Sequence, residues 1–577
     1  VVSQEKGAAL PAAVSHMAKI GKEQLPEAES PFKAPVRDTW RPYEGCTAET
    51  PFLNLFCPFK PAEAAFEFWW AIRWRMAWPF HWRLPGTTWS VGEAIFVPAL
   101  VGFCIIACMG SYKQVEGSAS PANVLGGLTY ATAARNSVFT LMVGIPFERT
   151  LFYHKILAIG ATITACWHGY MAVAFEHSST AAPMSQWQPF KAGDNFSGSL
   201  ITVGWAAAIV VAFVYVRRYL FDLFYRLHIV MAVIALYGAV AHGAGLVVLG
   251  GACWMFDLLV FALHAAGFHK GSSQDATATV LPAEVVRISF PKKNFKYKGG
   301  QYCFLCVPSI SCTGYQWHPF SFSSSPHEDE VHIHIRALGN WTWQLLNLVK
   351  ERQGTSSEAV PLHIYMDGPY GAPGINIDGP TYKHILLVSG GIGITPMQSI
   401  WGDLVHQYTR GRPLLQLRFI WSCADKAMIN SVGENVAAVK DGAKRLEAGG
   451  ARGGSEPDSL PVSFQPPLPS VLDDGNEKVR LPAHIKSVFY LTRVRDAKEY
   501  GAAGINPDVQ QHVVFGKRPD FDLILSDMHE QCMESGETKV AVMTCGPAAM
   551  VNAVKAACVK HSTKGISFDL HYEVFEF

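Results

Sequence analysis

The chain reads as a multi-domain membrane protein in which six transmembrane helices lead and a soluble half of strands, turns and then helices follows. Three observations predict this. Six apolar runs long enough to cross a bilayer fall at about 89–110, 122–145, 152–175, 199–217, 227–244 and 247–267. Beyond residue 270 the runs shorten and strand-like alternation sets in. Basic residues are one-sided: Arg73, Arg75, Arg83, Arg149, Lys155, Arg217, Arg218, Arg226 and Lys270 fall on one side, and the opposite loops hold Lys113 and Lys191 alone. That asymmetry places both termini in the cytoplasm or its topological equivalent, while leaving the particular membrane open.

Residues 1–60 are rich in Ala, Pro and Glu, lack periodicity, and read as irregular. FWWAIRWRMAWPFHW (68–82) mixes aromatics with Arg73 and Arg75, which suits an interfacial helix, so 1–88 form an irregular region carrying one such helix. No run has the layout of a cleavable signal sequence. A net charge of +1 over 577 residues gives a nucleic acid no electrostatic hold. The thirteen cysteines are scattered, with no disulfide framework.

The third run contains FYHKILAIGATITACWHGY and the fifth RLHIVMAVIALYGAVAHGAG. His154 and His168 are fourteen residues apart, and so are His228 and His242. On a helix that spacing rises about 21 Å and falls about 40° short of whole turns, so each pair shares a face. A single histidine on an apolar face is most often a packing residue. Two matched pairs instead offer imidazoles at two depths, the ligand set of two stacked bis-histidine haems. Arg135 lies in the second run, where a charge is expensive and faces protein or cofactor; a haem propionate is its expected partner.

In the soluble half, GSSQDATA (271–278) reads as a linker. QYCFLCVP alternates like a strand, and no fourth ligand follows Cys303, Cys306 and Cys312 at the usual spacing, which argues against a zinc site. YQWHPFSFSSSP (315–326) offers an aromatic, hydroxyls and amides to a flavin ring and its ribityl chain. HIHIRALGNWT (332–342) supplies Arg336 as fixed positive charge for a pyrophosphate. ILLVSGGIGITP reads as a buried strand, a glycine turn and a helix start near Pro396, an arrangement that cradles phosphate. DGPYG (367–371), FGKRPDF (515–521), TCGP (544–547) and a terminal FDLHYEVFEF follow.

These motifs, in this order, resemble the NADPH oxidase and ferric-chelate reductase superfamily of transmembrane flavocytochromes b, over about residues 90–577. The resemblance implies a six-helix ferric-reductase-like haem domain (89–268), an FAD-binding β-barrel (279–383) and an α/β NAD(P)H-binding domain (384–577) of ferredoxin-reductase type. Residues 441–479 would be a disordered insertion in the last. Position by position, His318, Pro319, Phe320 and Ser321 match the flavin motif, and Arg336, Trp341 and Thr342 its phosphate-side partner. Gly390, Gly391, Gly393, Thr395 and Pro396 match the pyrophosphate loop. Cys545, Gly546 and Pro547 match the element beside the nicotinamide. The last aromatic of the family's ending stacks on the flavin, a role that falls to Phe575 or Phe577.

What the resemblance implies is an enzyme passing electrons from cytosolic NADPH through FAD and two haems b to an acceptor on the opposite face. Departures bear on the details. Ala424 stands where NADPH oxidases place an arginine near the 2′-phosphate, and Arg518 in GKRP matches a second such arginine, so NADPH is expected over NADH. Ala172 replaces a further histidine that oxygen-reducing members place one turn after the outer ligand. No EF-hand loop is present, and the connection between spans two and three is short. The outer loop carries Glu176, His177 and Asp194, groups able to attract a ferric species. A ferric chelate is therefore expected as acceptor, narrowly ahead of O₂, although the HYEVF ending leans toward the oxidases. A non-catalytic membrane scaffold is the rival class; it would carry degenerate ligands or broken flavin motifs, and neither is present. A membrane subunit partner and an oligomer both stay open.

Overall fold

The computed structural model describes residues 84, 89, 91–110, 115–134, 147–180, 193–265, 273–292, 297–310, 316–371, 375, 377, 379–432, 484–493, 512–563 and 565–573. The interfacial segment 68–82, Arg135, the insertion 441–479, Phe575 and Phe577 lie outside the described residues, as do the side chains of Glu176 and His177.

The N-terminal half is helical: α1 (Val91–Gly110), α2 (Val115–Ala133), α3 (Phe147–Thr180), α4 (Asp194–Val211), short α5 (Val214–Tyr219), α6 (Phe221–His242) and α7 (Gly245–Ala265). Among the described residues three helices are long and apolar enough to span a membrane, Thr150–Ala174, Asp194–Val211 and Leu223–His242. Val91–Ala107 and Gly245–Leu259 are shorter apolar helices. The helix of the second expected span, 122–145, starts earlier, at Val115, and Ser118, Ser120, Pro121 and Asn123 make its first turns too polar to read as a span.

Small residues set the helix spacing, as expected where no water drives apolar faces together. A Cβ on Gly250 would lie 2.1 Å from Gly127 O, which brings α7 onto α2 backbone to backbone. Gly204 meets Ala235 and Met231 O, and Gly238 meets Ser197 O, so α4 and α6 are equally close. Gly243 ends α6 in the left-handed region at φ 77°, and Asn123 Oδ1 accepts from Leu246 N and Val247 N (3.0 and 3.1 Å), capping α7 from α2.

Next comes a six-stranded antiparallel sheet: β1 (Ser273–Leu281), β2 (Val285–Pro291), β3 (Tyr302–Cys306), β4 (His318–Ser321), β5 (Glu330–Arg336) and β6 (Val360–Tyr370), in the order β4-β3-β6-β1-β2-β5. Helix α8 (Asn340–Gln353) packs on its core through Trp341, Leu345, Leu346 and Val349. Among the described residues no ladder joins β4 to β5, although Ser323 N, just past β4, donates to His332 O at 2.8 Å. The supposed linker 271–278 is corrected. Most of it is β1, with Ala276 and Ala278 buried between exposed Asp275 and Thr277, an alternation masked because its inward residues are small. Cys303 and Cys306 are fully buried in β3, as the strand reading of QYCFLCVP requires.

The last unit is a parallel sheet: β7 (His384–Gly390), β8 (Gln416–Cys423), β9 (Ile485–Leu491), β10 (Val513–Phe515), β11 (Lys539–Cys545) and β12 (Ser567–Glu573). Its helices are α9 (Ile394–Thr409), α10 (Lys426–Val432), α11 (Phe521–Glu534) and α12 (Ala548–His561). The strand order β10-β9-β8-β7-β11-β12 reverses direction between β7 and β11. That switch point, at the carboxyl ends of the strands, is where open α/β sheets bind ligands. Helices cover both faces, hence the continuous apolar runs in β7, β8 and β11. The two soluble units touch through α9: Ser399 Oγ donates to Ser324 O (2.6 Å), Ser325 Oγ donates to Ser399 O (3.1 Å), and His327 stacks on His406.

Candidate electron-transfer site

Helices α3 and α6 run in the same direction, so their histidines meet in register. The ring centroids of His154 and His228 are 6.3 Å apart, and those of His168 and His242 are 6.1 Å apart. Two imidazole nitrogens each about 2 Å from one metal put their centroids about 6 Å apart. Each Nδ1 is occupied on its far side. His154 Nδ1 lies 2.9 Å from Thr129 O and His228 Nδ1 3.1 Å from Ala208 O. His168 Nδ1 lies 2.8 Å from Ser118 Oγ and His242 Nδ1 3.0 Å from Ser197 Oγ. A carbonyl can only accept, so Nδ1 donates and the lone pair of Nε2 faces the partner ring. Gly198 makes room for His242, since a Cβ there would stand 3.2 Å from its Cε1. Among the described residues no group of three or more His, Cys, Asp or Glu is arranged to hold a bare ion. The histidines come strictly in twos, which fits a metal whose remaining ligands come from a macrocycle. Ser118 and Ser197 escaped the sequence reading because each lies far along the chain from its histidine.

In the antiparallel sheet, β4 carries His318, Pro319, Phe320 and Ser321 on an edge strand. Trp341 packs on His318 (centroids 4.6 Å) and on Phe320 (5.6 Å, 26°), so three of the expected flavin-motif residues form one aromatic cluster. Thr342 Oγ1 accepts from Leu338 N and Gly339 N, both at 2.9 Å, and so fixes the turn that starts α8. Arg336 ends β5 half-buried, its Nε buried without a hydrogen-bond partner. Burial pushes the Cys423 thiol up to about 12, and the charge of Arg336 is among the influences that draw it down. A buried guanidinium nitrogen with nothing to donate to is what a bound pyrophosphate would satisfy.

At the switch point, the glycine turn and the TCGP segment interlock. A Cβ on Gly390 would lie 2.6 Å from Pro547 Cδ, one on Gly393 2.6 Å from Cys545 O, and one on Gly546 2.9 Å from Gly390 N. Gly391 adopts φ +55°, and Trp421 Nε1 donates to its carbonyl at 3.0 Å. Thr395 and Pro396 sit buried in the first turn of α9, which begins at Ile394, two residues before the expected start. Cys545 is fully buried at the end of β11. Ser389, Thr544 and Gln398, none of them singled out by sequence, each bury a side-chain oxygen without a hydrogen-bond partner beside this turn. Arg518 is exposed, two residues past Gly516 (φ +68°) and two before Asp520, whose Oδ1 caps α11 by accepting from Asp522 N and Leu523 N. Ala424 is exposed at the neighbouring carboxyl end, followed by Asp425, whose Oδ1 accepts from Ala427 N at 2.9 Å. Ala172 is half-buried on α3, one turn beyond His168.

The histidine-bearing helices and the two sheets thus define a membrane protein with flavin- and nicotinamide-binding units. Comparison with known families agrees. Residues 120–239 match the ferric reductase like transmembrane component, 271–374 an FAD-binding domain, and 382–446 the ferric reductase NAD binding domain. Rat dual oxidase 2 is 25% identical over 463 residues, covering 75% of this chain and 28% of that protein. A heavy chain of the superoxide-generating NADPH oxidase of Dictyostelium discoideum is 26% identical over 317 residues, covering 51% of this chain and 52% of that protein. Dual oxidase 1 of Caenorhabditis elegans is 30% identical over 54% of this chain and 23% of its own length. The chain thus spans between about a quarter and a half of these relatives. A ferredoxin NADP+ reductase from Neisseria gonorrhoeae with bound FAD and NADP aligns at TM-score 0.33 and 13% identity, covering 53% of this chain and 99% of that one. The three matched domains and the oxidase relatives support a transmembrane flavocytochrome of the superfamily that contains the ferric reductases and NADPH oxidases.

Proposed function

We propose that this protein takes electrons from NADPH on the cytosolic side and delivers them across a membrane to O₂, forming superoxide. The observation that carries the reading is the pair of facing histidine couples at two depths, followed in the chain by flavin and nicotinamide units. When bound, FAD would accept hydride and release single electrons, and two haems b would relay them. The chain's residues supply the rest. Gly390, Gly391 and Gly393 bring backbone amides to the pyrophosphate of NADPH, and Arg518 reads its 2′-phosphate. Arg336 would neutralise the flavin pyrophosphate, and Phe575 or Phe577 would cover the ring when no nicotinamide is bound. His154 with His228, and His168 with His242, would hold the irons with Nε2, and Arg135 would pair with a propionate. On this reading 89–268 is the six-helix haem domain, 279–383 closes as a barrel, and both termini face the cytosol.

The order of acceptors expected from sequence is reversed here because the relatives are oxidases, one of them named superoxide-generating. Ferric-chelate reduction is kept as the second reading on one observation: Ala172 leaves no imidazole one turn past His168. Bis-histidine ligation leaves no vacant coordination position, so either acceptor would react at the haem edge. Full-length protein in proteoliposomes, with NADPH on the flavin side, tests both readings. Oxygen consumption with dismutase-sensitive probe oxidation supports the oxidase. Fe(II) trapping that persists anaerobically and ignores dismutase replaces it with the reductase. A reduced-minus-oxidised spectrum without b-type bands refutes both.

A further inference from the structure

The hydrogen bonds behind the four histidines differ by level. At the level nearer the flavin unit, reached by α7 as it runs into β1, both Nδ1 groups donate to main-chain carbonyls, Thr129 O and Ala208 O. At the far level both donate to serine hydroxyls, Ser118 Oγ and Ser197 Oγ. Ser118 Oγ gives its own proton to Val115 O (2.6 Å), and Ser197 Oγ gives its to Asp194 O (3.1 Å) or Gly193 O (3.3 Å), so each hydroxyl acts as an acceptor toward its ring. Both serines are buried, so water does not replace them.

These partners also sit at opposite ends of the same two helices. Thr129 and Ala208 lie in the last turns of α2 and α4; Ser118 and Ser197 lie in their first turns. The C-terminal ends carry partial negative charge and the N-terminal ends partial positive charge. Helix α6 ends at His242, but α7 starts at Gly245, and its positive end offsets the negative end of α6. An amide carbonyl also accepts more strongly than a hydroxyl, which makes the near-level imidazoles the more basic ligands. The positive N-terminal ends of α3 and α6 also lie at the near level, but two turns from His154 and His228, beyond the first turn in which a helix dipole acts. The hydrogen bonds would therefore favour ferric iron at the near level and ferrous iron at the far level.

We propose that Ser118 and Ser197 are positioning residues that fix the Nδ1–H tautomer of His168 and His242. With the first turns of α2 and α4, they set the far haem at the higher reduction potential, so that electrons run downhill away from the flavin. The inference rests on the two-haem reading above. In each event iron held by His154 and His228 would lose one electron, ferrous to ferric, and iron held by His168 and His242 would gain it, ferric to ferrous. All four imidazoles keep their Nδ1 protons, so no proton or atom moves.

The test is a potentiometric titration of the full-length protein in nanodiscs, followed by optical spectra. Wild type should show two midpoints, and His242→Ala, keeping the near haem alone, should show the lower one. Ser118→Ala with Ser197→Ala should raise the higher midpoint and leave the lower unmoved, and Ser197→Asp, an anionic acceptor, should lower the higher one. A near haem with the higher midpoint overturns the proposal, and so does an unmoved pair of midpoints in the double variant at full haem content. If the alanine variants shed a haem, Ser118→Thr and Ser197→Thr should retain it, and the haem surviving in the alanine variants must titrate at the lower wild-type midpoint. Loss in the threonine variants as well, or survival of the higher midpoint, refutes it. Absence of any b-type spectrum would instead refute the two-haem reading itself.

Discussion

Replacing Gly393 with alanine tests whether the glycine turn and the TCGP segment work as one cradle. The new Cβ would stand 2.6 Å from Cys545 O, 2.9 Å from Cys545 C and 3.2 Å from Cys545 Sγ. Ordinary contact begins at 3.4 Å, so the segments must part by about 0.8 Å, and the first two atoms are backbone that no rotamer change can remove. Overpacking of this kind costs about 1–3 kcal/mol. Realised in nucleotide binding, that is a KM for NADPH higher by about 5- to 150-fold. Gly391→Ala is the control: nothing lies within 4 Å of its Cβ, and only its φ of +55° is unfavourable, at roughly 1–2 kcal/mol of general stability. Stopped-flow reduction of the flavin by NADPH in the full-length protein gives both numbers, with flavin content as the check on folding. A Gly393→Ala protein with full flavin and a KM within about twofold of wild type would refute the reasoning.

Arg518→Ala should raise the KM for NADPH by about tenfold or more, the loss of roughly 1.5–3 kcal/mol in a charge-assisted contact, with little effect on NADH; equal effects would remove Arg518 from the 2′-phosphate. Deleting Glu576 and Phe577 should leave flavin bound and shielded if Phe575 covers the ring, and loss of flavin assigns the role to Phe577. Acid should loosen the contact between the soluble units, where His327 and His406 stack at 4.1 Å and 6°. Burial, His406 and Lys292 lower His327 to about 3; burial and Arg410 lower His406 to about 4. Both folded values lie below the ordinary value of about 6.5, so the stabilisation is full above that pH and drains as pH falls toward about 4. Glu328, raised by burial, works the other way, and Asp403 lies one turn before His406 on α9. Thermal unfolding of the full-length protein from pH 7.5 to 5 should therefore be less acid-sensitive in His406→Phe, and an unchanged pH slope sinks that account.

What sequence could reveal followed how locally each feature is encoded. The histidine pairs were legible because a helix is rigid: fourteen residues dictate both depth and face, and the rings do meet in register. The glycine turn was legible because strand, turn and helix start are contiguous. Ser118 and Ser197 were not, because their contacts to His168 and His242 bridge 50 and 45 residues with no periodic signature. Strand β1 was taken for a linker because Ala276 and Ala278 bury too little apolar surface to stand out. The start of α2 was misplaced for a related reason: the serine that serves His168 belongs to a turn whose polarity disguised it as a loop.

That last error bears on function. A membrane helix that only has to span should be apolar to its ends, yet α2 spends its first turns on Ser118, Ser120 and Asn123. Asn123 closes the N-terminus of α7, and Ser118 meets the far histidine pair. Helix α4 repeats half of this design, with Ser197 in its first turn and the carbonyl of Ala208 in its last. Two helices that carry none of the four histidines thus touch all four imidazoles, hydroxyl at one level and carbonyl at the other. On the two-haem proposal, the imidazoles on α3 and α6 supply the same ligand at both depths, and the groups behind them are one lever that would set the two potentials apart. That lever lies on α2 and α4, which carry all four hydrogen-bond partners.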